Sequence, residues 1–150
     1  MTYATLKLIT TGLLNGDNVL TKDETALQGL VGYALTTVAM TAESLHLMTL
    51  STTEDVLRLS QGDYLIRRPV APTADTDILD IDEELTYAVA RFLASYFSAS
   101  KGGIHVQAAN RIITDYNIKT YEIIEQMRLQ AYADNVNLAT YQLPSTGWTL

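Results

Sequence analysis

Cysteine is absent from the 150 residues, which rules out disulfides, thiolate catalysis and Cys-based zinc sites. Basic residues are also scarce: 10 Lys and Arg against 17 Asp and Glu leave a formal charge of -7. A conventional nucleic-acid surface needs clustered cations to meet phosphates, so that class is disfavoured. Charged residues make up only 18% of the chain and hydrophobic ones 47%, a balance that excludes full disorder and suffices for one domain with a real core. Long hydrophobic runs are missing too. The most apolar stretch, 26–40, is broken by Gln28, Gly29, Gly32 and threonines, too short and too polar for a membrane span. Residues 1–7 lack a positive flank leading into an apolar core, so no secretion signal is indicated and a soluble intracellular protein is expected.

The catalytic vocabulary is equally thin. His46 and His105 are the only histidines and lack the i,i+4 pairing of a helical zinc site, so each is expected to be a structural or surface residue. No serine sits in a nucleophile elbow, and Lys101-Gly102-Gly103 is a helix stop, with no Gly run that could cradle a phosphate.

What is present is helical periodicity with a short extended interlude. Over 2–14, Tyr3, Leu6, Ile9 (or Thr10) and Leu13 recur at the spacing of one helical face, and Asn15-Gly16-Asp17-Asn18 then turns the chain. Thr21-Lys22-Asp23-Glu24 has the form of a capping box and predicts a second helix, with Leu27, Leu30 (or Val31), Ala34, Val38 and Thr41 on one side. Gly29 and Gly32 in that helix predict close approach of a neighbouring element. From Ser44 the period changes to the alternation of a strand. Residues 55–60 and 64–68 then flank Gln61-Gly62-Asp63 as a hairpin, and Pro69 and Pro72 end the ladder because neither donates a backbone hydrogen bond. A third helix is predicted from about Asp80 or Asp82 to Ser98, with Leu85, Val89 (or Ala88), Phe92 and Tyr96 as its stripe. A fourth is predicted from Ile104 to about Ala133, with a narrow seam of Ala109, Ile112 (or Ile113), Tyr116, Thr120, Ile123, Met127 and Ala131.

The fold expected from these elements is mainly α. It is a four-helix, up-down-like domain over 1–133, with a small antiparallel hairpin or three-stranded element at about 44–68 between helices 2 and 3. Residues 134–150 form a C-terminal extension whose Tyr141, Leu143, Trp148 and Leu150 are too apolar for a purely solvated tail.

The densest chemical signal is the acidic run before helix 3. Asp75, Asp77, Asp80 and Asp82 suggest a divalent-cation loop, but the sixth position from Asp75 is Asp80 where a calcium loop needs Gly, and the twelfth is Thr86 where it needs Glu. Helix capping fits better: Asp80 or Asp82 at the N-cap, Glu83 completing a box, and Glu84 near the positive helix end. Consecutive Asp82, Glu83 and Glu84 point about 100° apart on a helix, which disfavours a shared acid–base site. Arg67 and Arg68 face opposite sides of a strand, so one can meet an acidic partner while the other is solvated. With Arg58, Asp75, Asp77 and Trp148 they are the candidate subunit or partner contacts, through an intersubunit salt bridge between the arginines and the 75–84 loop.

The segment Asp63-Tyr64-Leu65-Ile66-Arg67-Arg68-Pro69, followed by Asp77-Ile78-Leu79-Asp80-Ile81-Asp82-Glu83-Glu84-Leu85 and the helix from Ala88 to Ser98, resembles small head-tail connector (adaptor) proteins of tailed bacteriophages. The resemblance covers Thr21 to Ile124. It implies helices packed around a small strand element, a homo-oligomeric ring between portal and tail, passage of DNA without specific binding, no cofactor, no catalytic or metal site and no membrane. It also implies assembly in the host cytoplasm and residence at the head-tail junction of the virion. The alternative is a small acidic protein-binding or regulatory module with no virion role. A third class is an enzyme assembled from scattered carboxylates such as Asp80, Asp115 and Glu122.

Overall fold

The fold was obtained as a computed structural model, which describes residues 1–15, 23–50, 55–61 and 64–146, with the helix backbone alone from 135 to 146. Among the described residues there are four α-helices: α1 (Tyr3–Leu13), α2 (Glu24–Thr41), α3 (Thr86–Phe97) and α4 (Gly102–Thr146). Three short strands, β1 (Met48–Thr49), β2 (Val56–Leu59) and β3 (Leu65–Arg67), lie between α2 and α3. They form one antiparallel sheet in the order β1-β3-β2, so the hairpin partner β3 is also the central strand. The mainly α architecture with a β insertion is therefore the one expected from periodicity.

The chain divides into two compact units, Met1–Asn117 and Ile118–Leu150. That division falls earlier than the expected boundary at 133/134. No break marks 133 in α4, which continues to Thr146 where the sequence predicted an end near Ala133. The reason is local: from Ile104 to Leu143 the chain holds neither Gly nor Pro.

In the first unit the predicted stripes become the core. Tyr3 and Leu6 from α1, Leu27, Val31, Leu35 and Val38 from α2, and Leu85, Val89 and Leu93 at the start of and along α3 are all buried, joined by Ile66 of β3 and by Ala109, Ile113 and Tyr116 of α4. Burial of each large aliphatic side chain stabilises by about 1.5–3 kcal/mol. Thr2 caps α1 by accepting from Thr5 N at 3.2 Å, and Asn15 takes a positive φ of 58° just beyond the helix, as its predicted turn requires.

Two predicted starts move. The N-cap of α2 is Asp23, whose carboxylate accepts from Ala26 N at 3.1 Å, not Thr21, which lies outside the described residues. Helix 3 opens with a 3-10 turn, Glu83–Leu85, and neither that turn nor α3 has a side-chain cap. The predicted strand around 45–50 shrinks to two residues, because Ser44–Leu47 fold as a turn with Leu47 N bonded to Ser44 O. The two glycines of α2 also part company. A Cβ on Gly32 would meet Ala71 Cβ at 3.0 Å, so the loop after β3 does press on the helix there, whereas a Cβ on Gly29 would meet nothing within 4 Å. Gly62 of the hairpin turn lies outside the described residues.

Candidate functional site

Three arginines organise the polar chemistry around the sheet, and each is spent within the chain. Arg58 on β2 reaches the end of α2, donating from Nε to Ala39 O at 2.9 Å and from an NH2 group to Ala42 O at 2.6 Å. Those carbonyls belong to the last turn of a helix without a basic residue of its own there, so a strand supplies the cation that the helix end favours. The same guanidinium meets Glu43 at 3.1 Å, and Ser60 Oγ donates to the other carboxylate oxygen at 2.7 Å. Asn117 completes the end of α2 by donating to Thr41 O and accepting from Glu43 N, both at 2.8 Å, while Leu45 N donates to the Tyr116 hydroxyl at 3.2 Å.

Arg67 on β3 grips Asp80 with two parallel bonds of 2.6 and 2.7 Å. Asp80 also accepts from Val70 N at 2.8 Å and lies 2.8 Å from His46 Nε2. Burial pushes its carboxyl up, but the Arg67 guanidinium, the Val70 N–H and His46 together outweigh that and hold it down at about 2. A carboxylate held so firmly ionised suits charge pairing, not proton donation. Asp82 turns the same way, accepting from Ser44 Oγ and from His46 N at 3.1 Å. The capping expectation is thus corrected: Asp80 and Asp82 fasten the loop to β3 and to the 44–47 turn, and Glu83 bonds the Met1 amine instead of closing a capping box. Tertiary donors, including one guanidinium, outcompete the weaker backbone N–H groups of a helix start.

The other predicted contact residues have separate partners. Arg68 pairs with Asp55 at 2.7 Å, and Asp75 pairs with Lys7 at 2.6 Å. Asp77 accepts from Thr73 N, Thr73 Oγ1 and Ala74 N at 2.9, 3.2 and 3.0 Å, and these bonds, led by the one from Thr73 N, lower its pKa despite some desolvation. Trp148 lies outside the described residues. The structure therefore brings Arg67 to the acidic run, at Asp80, and sends Arg58 and Arg68 elsewhere.

Beside this clasp lies an open groove of about 460 Å³ lined by Arg67, Val70, Ala71, Pro72, Asp77, Ile78 and Asp80. Its apolar walls are solvent-facing: Val70 is 68% and Ile78 75% exposed. Sequence reasoning passed over both, because single apolar residues in a Pro-rich loop carry no periodicity.

Elsewhere in the first unit, buried His105 accepts from Arg91 through Nδ1 at 3.1 Å, and burial, Arg91 and Lys101 all push its pKa down. Among the described residues no group of three or more His, Asp or Glu is placed to hold a metal ion, and no helix is long and apolar enough to cross a membrane. In the second unit α4 displays Ile118, Tyr121, Leu129 and Tyr132 to solvent. At about 100° per residue these fall within a sector of about 80°, opposite the predicted seam positions Ile123 and Met127, which are exposed as well, so the seam expected there is not buried within the chain. No protein-family model, curated protein or solved structure matches the chain.

Proposed function

We propose that this chain is a structural subunit of a bacteriophage head-tail connector, one copy in a homo-oligomeric ring between portal and tail through which DNA passes. It acts without cofactor or catalysis and is assembled in the host cytoplasm into the virion. The observation that supports the reading best is the exposed face of α4 in the second unit. Ile118, Tyr121, Leu129 and Tyr132 lie exposed on one side of a helix segment, with Glu125 between them paired to Arg128, and an isolated helix is marginal in water unless its apolar groups are covered. A neighbouring subunit provides that cover in a ring. The net charge of -7 adds support, since a channel wall poor in cations lets DNA slide without sticking. Because Arg58, Arg67, Arg68 and Asp75 already have partners within the chain, the subunit contact in this reading rests on α4 and not on the charge contrast of the β insertion.

The test is the mass in solution of the full chain, alone and with purified portal, compared with a Tyr121→Glu/Leu129→Glu variant. Rings or portal complexes are expected for the wild type and should be lost in the variant while its melting transition persists. A wild-type chain that stays monomeric and ignores portal protein defeats the proposal.

A further inference from the structure

We infer that the groove beside the Arg67–Asp80 clasp receives an extended segment of another protein, which adds a strand at Ile78 and sets a Lys or Arg against Asp77. The inference is independent of any ring. Its first support is backbone geometry. Residues 77–79 run antiparallel to the N-terminal residues 1–3, with Tyr3 N donating to Asp77 O at 2.8 Å and Leu79 N to Met1 O at 3.0 Å around the bridge between Thr2 and Ile78. Bonds placed on both flanks of a facing pair make that pair the non-hydrogen-bonded kind, in which the two residues turn their own N–H and C=O groups away from each other. The Ile78 N–H and C=O accordingly point to the side away from Thr2, and neither has a hydrogen-bond partner among the described residues. An adjacent donor and acceptor on an open edge is what strand addition uses.

The walls say what kind of strand fits. Exposed Val70 and Ile78, with Ala71 and Pro72, offer apolar contact to alternate side chains of an extended peptide. The charge left over says more. Arg67 neutralises Asp80 at this groove, whereas the Asp77 carboxylate is held only by the neutral donors of Thr73 and Ala74, with no cation within salt-bridge distance among the described residues. A basic side chain next to the residue paired with Ile78 would reach the Asp77 position, one step along the strand. This chain does not supply that segment from its own sheet, because β2 with Arg58 and β3 with Arg67 are already paired with each other. The occupant we assign on these grounds, with β2 and β3 excluded among the described residues, is an extended, basic, apolar-flanked segment of a different protein.

The probe is a blocked pentapeptide, Thr-Val-Lys-Val-Thr, titrated into the isotopically labelled full chain, with Thr-Val-Glu-Val-Thr as its control. The Ile78 amide resonance should shift and its hydrogen exchange slow with the Lys peptide, and the Glu peptide should bind at least about tenfold more weakly. Asp77→Asn keeps an oxygen to accept from Thr73 and Ala74 and should bring the two peptides to equal affinity. An Ile78 amide untouched by the Lys peptide overturns the inference, as does equal binding of both peptides to the wild type. Protection of Ile78 that rises with protein concentration in the absence of peptide would assign the groove to a second copy and overturn it too.

Discussion

Arg58 and Arg67 each hold a carboxylate from another part of the chain, yet the two sites differ in depth and in what the arginine replaces. Arg58 and Glu43 are nearly closed off, their side chains 16% and 7% exposed, and the guanidinium doubles as the cation for the end of α2. Arg67 and Asp80 lie at 21% and 19%, and Asp80 keeps a backbone donor and a histidine besides. The first pair stands in for missing secondary-structure chemistry, while the second ties a loop to a sheet and shapes the wall of a groove. A buried pair is costly to break because removal of one partner strands the other; a somewhat more exposed pair tolerates the loss better.

That contrast can be broken most decisively at Arg58. Arg58→Ala should lower unfolding free energy by about 3–5 kcal/mol in a denaturant titration, because buried Glu43 loses its charged partner and keeps only the neutral donors of Ser60 and Gln61 among the described residues. If Glu43→Gln combined with Arg58→Ala restores nothing, the cost does not come from the stranded carboxylate. Arg67→Ala should cost less, about 2 kcal/mol, since Asp80 retains Val70 N and His46. A loss equal to that of Arg58→Ala would erase the distinction in depth. The smallest effect is one of pH. Asp80 is held at about 2 in the fold, below the ordinary carboxylate value, so its contribution is fully present above about pH 4 and is lost as pH falls towards 2. Asp80→Asn should flatten that acid limb of the stability profile, and an unchanged limb would show that other carboxylates dominate it.

Much of the fold was legible because hydrophobic periodicity is local and repeated. Tyr3, Leu6, Leu27, Leu30 (or Val31), Val38, Leu85, Val89 (or Ala88) and Phe92 stood out at helical spacing, and all are buried except Leu30, which like Ile9, Leu13 and Tyr96 of the same stripes is partly buried. The hairpin was legible from two β-rich runs around Gln61-Gly62-Asp63, and β2 and β3 do pair. The candidate site was less so. Asp80 and Asp82 obeyed the local rule for a helix start, but that rule does not know that Arg67, Ser44 and His46 reach the same oxygens. Glu43 and Asn117 carried no sequence signal, since their importance comes from a strand and a helix that converge on the end of α2. Gly29 and Gly32 looked alike in sequence, and only the position of Ala71 separates them.

The sequence by itself determined where helices and strands form, which of their faces turn inward, and that thiol chemistry is excluded, because these follow from residue type and spacing alone. Only the tertiary structure decided which acid meets which arginine, that the helix cap was forgone for a clasp, and that Ile78 keeps an open backbone edge among the described residues. The physical reason is that a carboxylate or a peptide group has several acceptable partners along the chain, close in energy, and only the packing of the core settles which of them comes within bonding distance.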